Sequence, residues 1–159
     1  MSYAIVFSSR TGNTRLLAEA IRDALPPEAC VYFGEPSPEA LAADRFYVGF
    51  WTDKGSCGED IAVFLENTGN KPVFLFGTAG FGGATSYFDK ILDSVQAHVP
   101  GPVIGRFMCQ GKMPAAVRTR YESMPESPRR QAMLENFDTA SSHPDVEDLS
   151  RLRRAVQDC

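Results

Sequence analysis

The feature that most constrains the fold is an alternation of short apolar runs with amphipathic stretches. The first run, Tyr3–Phe7, is almost continuously apolar, as is typical of a strand buried on both faces of a sheet. Residues 16–25 then carry apolar side chains at helical spacing and end before two prolines. The same alternation predicts further strands at Cys30–Phe33, Arg45–Trp51, Lys71–Gly77 and Pro102–Cys109, and helices at Pro38–Ala43, Asp60–Glu66 and Tyr87–Ala97.

Strands that alternate with helices indicate right-handed crossovers and a parallel sheet covered on both faces. Such a sheet binds ligands at the carboxyl ends of its strands, near the point where the strand order reverses. The loops after the first, third and fourth strands are therefore the candidate site. Residues 112–159 are polar and helical and predict no strand. We predict one domain, residues 1–159, with a core at about 2–110 and an additional helical segment at 111–159.

Composition excludes several classes of protein. With 16 basic and 20 acidic residues the formal net charge is −4, which argues against a nucleic-acid binder. No apolar run is long enough to span a membrane, and the N-terminus lacks the basic region of a signal peptide, so we expect a cytoplasmic protein. The four cysteines form no C-x-x-C pair and there are only two histidines, so we predict reduced, packed thiols and no metal site.

The loop after the first strand carries the strongest chemical signal. It joins a buried strand to a helix, where backbone N–H groups converge and the helix dipole favours an anion. Its short polar side chains add donors, and its glycine lets a ligand approach the backbone closely. The same residue types also form N-capping turns, which is the alternative interpretation. The candidate phosphate-binding residues are Ser9, Arg10, Thr11, Gly12, Asn13 and Thr14.

This loop resembles the Ser/Thr-x-Thr-Gly-Asn-Thr phosphate loop of the flavodoxins, and with the strand alternation the resemblance covers about residues 2–110. It implies an α/β fold, a flavodoxin-like three-layer sandwich. Its five-stranded parallel sheet would have the order 2-1-3-4-5, with helices on both faces. It also implies FMN as the cofactor. The chain departs from the family in one respect, because low-potential flavodoxins are typically more acidic than −4. No G-x-G-x-x-G motif follows the first strand, so a dinucleotide fold is not indicated.

The resemblance assigns roles to two further loops. Trp51 would stack on the isoalloxazine ring, and Gly55 would permit a peptide flip; alternatively Trp51 caps the core and Asp53–Lys54 is a solvated turn. The glycine-rich loop 77–84 would hold the pyrimidine edge, with Phe81 or Tyr87 over the second face, or would be a flexible turn. The candidate cofactor-binding residues in these loops are Trp51, Thr52, Asp53, Lys54, Gly55, Thr78, Ala79, Gly80 and Phe81.

No convincing set of acid, base and nucleophile is present, since His98 and His143 are the only histidines. We therefore predict no catalytic residue, and an FMN protein that passes electrons between redox partner proteins, as a monomer or weak dimer. An FMN-dependent NAD(P)H or quinone reductase is the alternative, with the C-terminal segment completing a substrate pocket. A phosphate-binding module without flavin is a third possibility. Residues His143–Asp145 predict the start of a helix.

Overall fold

The computed structural model describes residues 1–81 and 85–159. The predicted role of Gly82, Gly83 and Ala84 in the fourth-strand loop lies outside these residues. The strands are β1 (Tyr3–Phe7), β2 (Cys30–Gly34), β3 (Arg45–Trp51), β4 (Val73–Ala79) and β5 (Val103–Gln110). The α-helices are α1 (Asn13–Ala24), α2 (Glu59–Glu66), α3 (Thr85–Gln96), α4 (Ala115–Glu122), α5 (Pro128–Ala140) and α6 (Val146–Gln157), and short 3-10 helices span Pro27–Ala29 and Pro38–Ala42.

The five strands form one parallel sheet in the order β2-β1-β3-β4-β5, which confirms the predicted fold. Successive side chains of each strand enter opposite layers, because strand side chains alternate between faces. One layer contains Val6, Val48 and Leu75, packed with the apolar faces of α2 and α3. The other contains Ile5 and Tyr47, packed with α1 and α6. The order reverses beside β1, so the loops after β1 and β3 flank a crevice.

The last helix belongs to one of these layers. Leu152 and Val156 of α6 are buried in the core with residues of α1, so α6 is the second helix on that face of the sheet. Asp145 caps α6 through a capping box with Asp148, which confirms the predicted helix start. Helices α4 and α5 pack against each other and join β5 to α6. Within the described residues, no helix is long and apolar enough to cross a membrane.

Several predicted boundaries differ from the structure by one or more residues, and two of these differences affect the site. Strand β4 runs to Ala79 because Thr78 and Ala79 pair with residues of β5, so these two residues lie in the sheet and not in a loop. Helix α1 begins at Asn13, which places Asn13 and Thr14 in its buried first turn.

Strands β3 and β4 meet at the site through two reciprocal pairs. Gly49 is opposite Phe76, and Phe50 is opposite Gly77. A Cβ atom at either glycine would overlap the opposing phenyl ring. Each ring therefore occupies the space that a side chain on the neighbouring strand would fill, which packs the two strands tightly just before their carboxyl ends.

Candidate functional site

A cavity of about 350 Å³ opens at the carboxyl ends of the strands, beside the point where the strand order reverses. Residues from all three predicted loops meet in it. The predicted residues that line it are Arg10, Thr11, Asn13, Trp51, Thr52, Lys54, Gly55, Thr78, Ala79, Gly80 and Phe81. The other four, Ser9, Gly12, Thr14 and Asp53, are their immediate neighbours in the chain and do not line the cavity.

The loop after β1 presents unused backbone donors at the start of α1. Gly12 precedes the helix at φ 90°, a left-handed conformation that glycine adopts without strain. The Ser9 hydroxyl accepts a hydrogen bond from the Arg15 N–H at 3.3 Å. Within residues 1–81 and 85–159, the N–H groups of residues 10–14 have no protein acceptor. These amides and the positive end of the α1 dipole form a site suited to an anion.

Asn13 connects this loop to the segment that follows β5. Its side chain is buried, and its amide Nδ2 donates a 2.8 Å hydrogen bond to the carbonyl of Lys112. A Cβ atom at Gly111 would overlap the Asn13 side chain, so glycine is required for this approach. The Oδ1 atom of Asn13 is buried and has no donor within the described residues. Sequence reasoning made the Asn13 amide a phosphate donor, and in the structure one of the two N–H groups of that amide donates to Lys112.

The loop after β3 is a closed turn. Asp53 and Ser56 exchange two backbone hydrogen bonds, of 2.8 and 3.1 Å. Lys54 at φ 51° and Gly55 at φ 80° both adopt the left-handed conformation that tight turns of this kind require. The Thr52 amide and hydroxyl both donate to the Thr78 carbonyl, at 2.9 and 2.8 Å, which fixes the turn to the end of β4.

Trp51 forms part of the cavity wall at the end of β3. Its side chain is half-buried, and the guanidinium of Arg10 lies 5.4 Å from its ring centroid. This distance is within the range of a cation–π contact. The ring is therefore held between the sheet and a cation at the cavity mouth, with part of its surface available to a ligand.

The end of β4 is fixed by residues far along the chain. The Gly80 carbonyl accepts hydrogen bonds from the Gln110 amide at 3.0 Å and the Asn136 amide at 3.1 Å. A Cβ atom at Gly80 would overlap the Met113 side chain. Phe81 follows directly and is 43% exposed at the cavity mouth.

The segment after β5 and helix α4 supply a wall of the cavity, for which sequence reasoning proposed the C-terminal segment without naming its residues. The expected site comprises the loops after β1, β3 and β4. Strand β5 ends at the same edge of the sheet, and ligands bind at the carboxyl ends of parallel strands, so this rule also indicates the segment after β5. Tyr87 is expected only as a residue over the second face of the isoalloxazine ring. The residues in this additional wall are Gly111, Lys112, Met113, Pro114, Val117, Arg120 and Tyr121, and Tyr87 of α3 also lines the cavity.

A cluster of charged groups supports this wall from behind. The Lys112 N–H donates to the His143 carbonyl at 3.1 Å, and His143 Nδ1 lies 2.6 Å from Asp148 Oδ2. Burial alone would raise the pKa of Asp148, but hydrogen bonds from His143, the Asp145 amide and Arg151 hold it below its usual value. His143, Asp145 and Asp148 lie close enough to ligate a metal, but hydrogen bonds already join His143 Nδ1, Asp145 Oδ1 and Asp148 Oδ2 within this part of the structure.

Comparison with known proteins identifies relatives over nearly the whole chain. A family model described as a flavodoxin domain matches residues 4–157. BilS, a flavodoxin-like domain-containing protein of Clostridium symbiosum (strain WAL-14163), is 43% identical over 173 residues, covering 94% of this chain and 91% of that protein. BilS of Clostridioides difficile (strain CD3) is 30% identical over 159 residues, covering 94% and 90%.

A solved structure shows the same fold. A short-chain flavodoxin associated with a non-canonical PDU bacterial microcompartment superposes with a TM-score of 0.63 at 16% identity, over 99% of this chain and 95% of its own. The family match includes the C-terminal helices, since it extends to residue 157.

Proposed function

Because this chain belongs to the flavodoxin-domain family, we propose that it binds FMN in the cavity and passes electrons between redox partner proteins. The observation that carries the proposal is the row of unused N–H groups at residues 10–14, at the start of α1 and beside the strand-order reversal. When bound, FMN supplies reversible electron transfer, and the protein supplies binding, orientation and electrostatics.

The donors at residues 10–14 fit a phosphate group. They are neutral backbone dipoles, assisted by the Thr11 hydroxyl, and their orientation does not need to change when the anion arrives. Asn13 Oδ1 is buried away from the cavity, so the phosphate assignment rests on the backbone donors and the Thr11 hydroxyl.

The remaining walls fit a planar aromatic ring system. Trp51, Phe81 and Tyr87 present aromatic side chains to the cavity, while the turn at residues 53–56 and Gly80 present backbone. Aromatic faces favour offset stacking, and backbone groups can hydrogen-bond the polar edge of a ring. Thr52 and Thr78 hold the two strand ends at a fixed distance, so these walls are organised before any ligand arrives.

An electron carrier needs no proton-transferring side chain, and the cavity offers few. Among the described residues that line it, none is histidine, aspartate, glutamate or cysteine. These are the groups that most often act as general acids, bases or nucleophiles near neutral pH. The lining therefore supports electron transfer through the bound cofactor over chemistry by side chains.

One observation favours a second candidate function, an FMN-dependent NAD(P)H or quinone reductase. Met113, Pro114, Val117 and Tyr121 form an apolar wall that the core flavodoxin pattern at residues 2–110 does not contain. Such a wall could cover a small substrate placed over the ring. Steady-state turnover of NADH or NADPH with a quinone would support this function. Absence of turnover would favour the electron-transfer protein.

The test of the proposal is a titration of the apoprotein with FMN and with riboflavin, which lacks the phosphate. We expect tighter binding of FMN, because hydrogen bonds to a charged group are the stronger kind. Thr11→Ala should reduce this preference, and the matched control Thr139→Ala, on exposed α5, should not. Equal affinities for the two ligands would overturn the phosphate assignment, and no flavin uptake would overturn the proposal.

A further inference from the structure

All four charged side chains among the described residues that line the cavity are basic. Arg10 follows β1, Lys54 is in the turn after β3, Lys112 follows β5 and Arg120 is on α4. All four are exposed, so their charged ends lie around the mouth of the cavity and not inside it. We call this set, Arg10, Lys54, Lys112 and Arg120, the cationic rim.

The cationic rim stands in contrast to the rest of the molecule. The chain has a net charge of −4, yet four separate elements each place one cation at this mouth. Within the described residues, no carboxylate forms an ion pair with any of the four. Asp53 is the acidic neighbour in the chain, and it does not line the cavity. Charges of one sign around a cleft reinforce one another in solution, so the mouth attracts anions.

The cavity is small enough that one flavin would fill it, which leaves the cationic rim as an outer surface. A cavity of about 350 Å³ is at the small end of the range for one cofactor-sized ligand. A flavin that occupies it leaves the rim and the exposed Phe81 as the surface from which an electron would leave. Aromatic residues and arginine are enriched in protein-binding patches, and Phe81 with Arg10 and Arg120 supplies both residue types here.

We propose that the cationic rim and Phe81 dock an acidic surface of the redox partner protein. This inference rests on the proposed function. Attraction between opposite charges raises the rate of encounter and orients the partner over the cofactor, and salt weakens it. Low-potential flavodoxins are typically more acidic than this chain. The cationic rim instead gives a positive charge to the face that the partner would approach.

The first experiment uses two protein probes of opposite charge. The FMN-loaded protein, reduced with stoichiometric dithionite, is mixed with oxidised rubredoxin, which is acidic, or with ferric cytochrome c, which is basic. In each reaction one electron passes from the flavin to the ferric iron of the probe. We expect the rubredoxin rate to fall as ionic strength rises and the cytochrome c rate to increase.

The second experiment needs no cofactor. Trp51 is the only tryptophan and lies at the mouth, so quenching of its emission in the apoprotein by iodide or by caesium reports the local sign of charge. For each ion, the quenching constant of Trp51 is divided by that of free N-acetyltryptophanamide. We expect this ratio to be several-fold larger for iodide than for caesium. The triple variant Lys54→Gln/Lys112→Gln/Arg120→Gln should reduce this preference, since Arg10 remains beside the Trp51 ring, and should weaken the attraction to rubredoxin. Arg129→Gln, an exposed change on α5, should change neither.

The outcomes separate the proposals. Faster reaction with cytochrome c, weakened by salt, would overturn the docking surface while leaving FMN binding intact. Attraction of ferricyanide without attraction of rubredoxin would also overturn it, in favour of a small anionic substrate. A triple variant that binds FMN more weakly but keeps its salt dependence with rubredoxin would show that the cations serve the cofactor. Absence of flavin uptake by the wild-type protein would overturn the proposed function and the docking surface together.

Discussion

The side-chain amide of Asn13 donates a hydrogen bond of 2.8 Å to the main-chain carbonyl of Lys112. The two residues are 99 positions apart in the chain, and their bond joins the loop after β1 to the wall after β5. The backbone N–H of the same residue, Lys112, donates to the His143 carbonyl, so this wall is held between α1 and the start of α6. The anion site and the C-terminal helices are therefore coupled through the backbone of one residue, Lys112.

Removing the Asn13 amide should destabilise the apoprotein. We expect Asn13→Ala to lower the free energy of unfolding by about 1–3 kcal/mol, because it removes a part-buried 2.8 Å hydrogen bond and leaves the Lys112 carbonyl only the long 3.5 Å contact with the Thr11 hydroxyl. Asn67→Ala is the matched control, since the Asn67 amide donates to the Val63 carbonyl at an exposed helix end, and should cost less. Chemical denaturation of the three apoproteins measures the difference. Equal losses in the two variants would contradict a special role for the Lys112 bond.

Alanine substitutions at Gly12 and Gly69 form a second pair of variants for comparison. Both glycines have positive φ, at 90° and 61°, and a Cβ atom at either meets no described atom within 4 Å. Alanine at either position should cost about 1–2 kcal/mol of stability through backbone strain. Only Gly12→Ala should also weaken FMN binding, because the strain changes the direction of the N–H groups at the start of α1. Titration of each apoprotein with FMN tests this, and unchanged FMN affinity in Gly12→Ala would place the phosphate elsewhere.

Trp51 should report flavin binding directly. If its ring packs against the isoalloxazine, uptake of FMN by the apoprotein will quench most tryptophan emission, and the chain has no other tryptophan. Trp51→Phe should keep most of the affinity, while Trp51→Ala should lose about 0.5–1.5 kcal/mol beyond the loss of buried area. Unchanged emission on flavin uptake would leave Trp51 a structural residue and make Phe81 the candidate for stacking.

Lys54 should make it easier to add the second electron to the flavin. This step places negative charge on the ring, and Lys54 lines the cavity in an exposed turn. A cation at an exposed site contributes about 1 kcal/mol or less, which corresponds to roughly 40 mV for a one-electron couple. We expect the potential of the second couple to fall by tens of millivolts in Lys54→Gln, measured by spectroelectrochemical titration. An unchanged potential would mean that this cation serves only the docking surface.

Asp148 should make stability depend on pH in the acid range. Its pKa is lower in the folded protein than in the unfolded chain, so its contribution is present above the unfolded value of about 3.9. That contribution is lost as the pH falls through the folded value. Asp148→Asn should therefore reduce stability at pH 7 and flatten its decline in acid, measured by denaturation between pH 7 and pH 3. Glu147→Gln, an exposed neighbour, should change neither; an equal effect in both variants would contradict the assignment.

The sequence determined the sheet and the edge at which the site lies. Runs such as Tyr3–Phe7 and Arg45–Trp51 form strands because only a sheet covered on both faces can bury them, and β-α alternation leaves few topologies for parallel strands. The loops after β1, β3 and β4 therefore had to meet at one end. The described residues of those loops do meet there, and eleven of the predicted residues line one cavity.

Only the tertiary structure decided how that edge is closed. No local pattern indicates that the Asn13 amide binds a carbonyl 99 residues away, or that Gly80 is held by Gln110 and Asn136. The cationic rim also depends on long-range packing, because Arg10 and Arg120 are adjacent to the same mouth only once α4 covers the sheet edge. Local periodicity encodes which face of an element is buried, since each residue acts through its own hydrophobicity. Which distant polar groups meet depends on how the completed layers pack, and a single sequence does not show that packing.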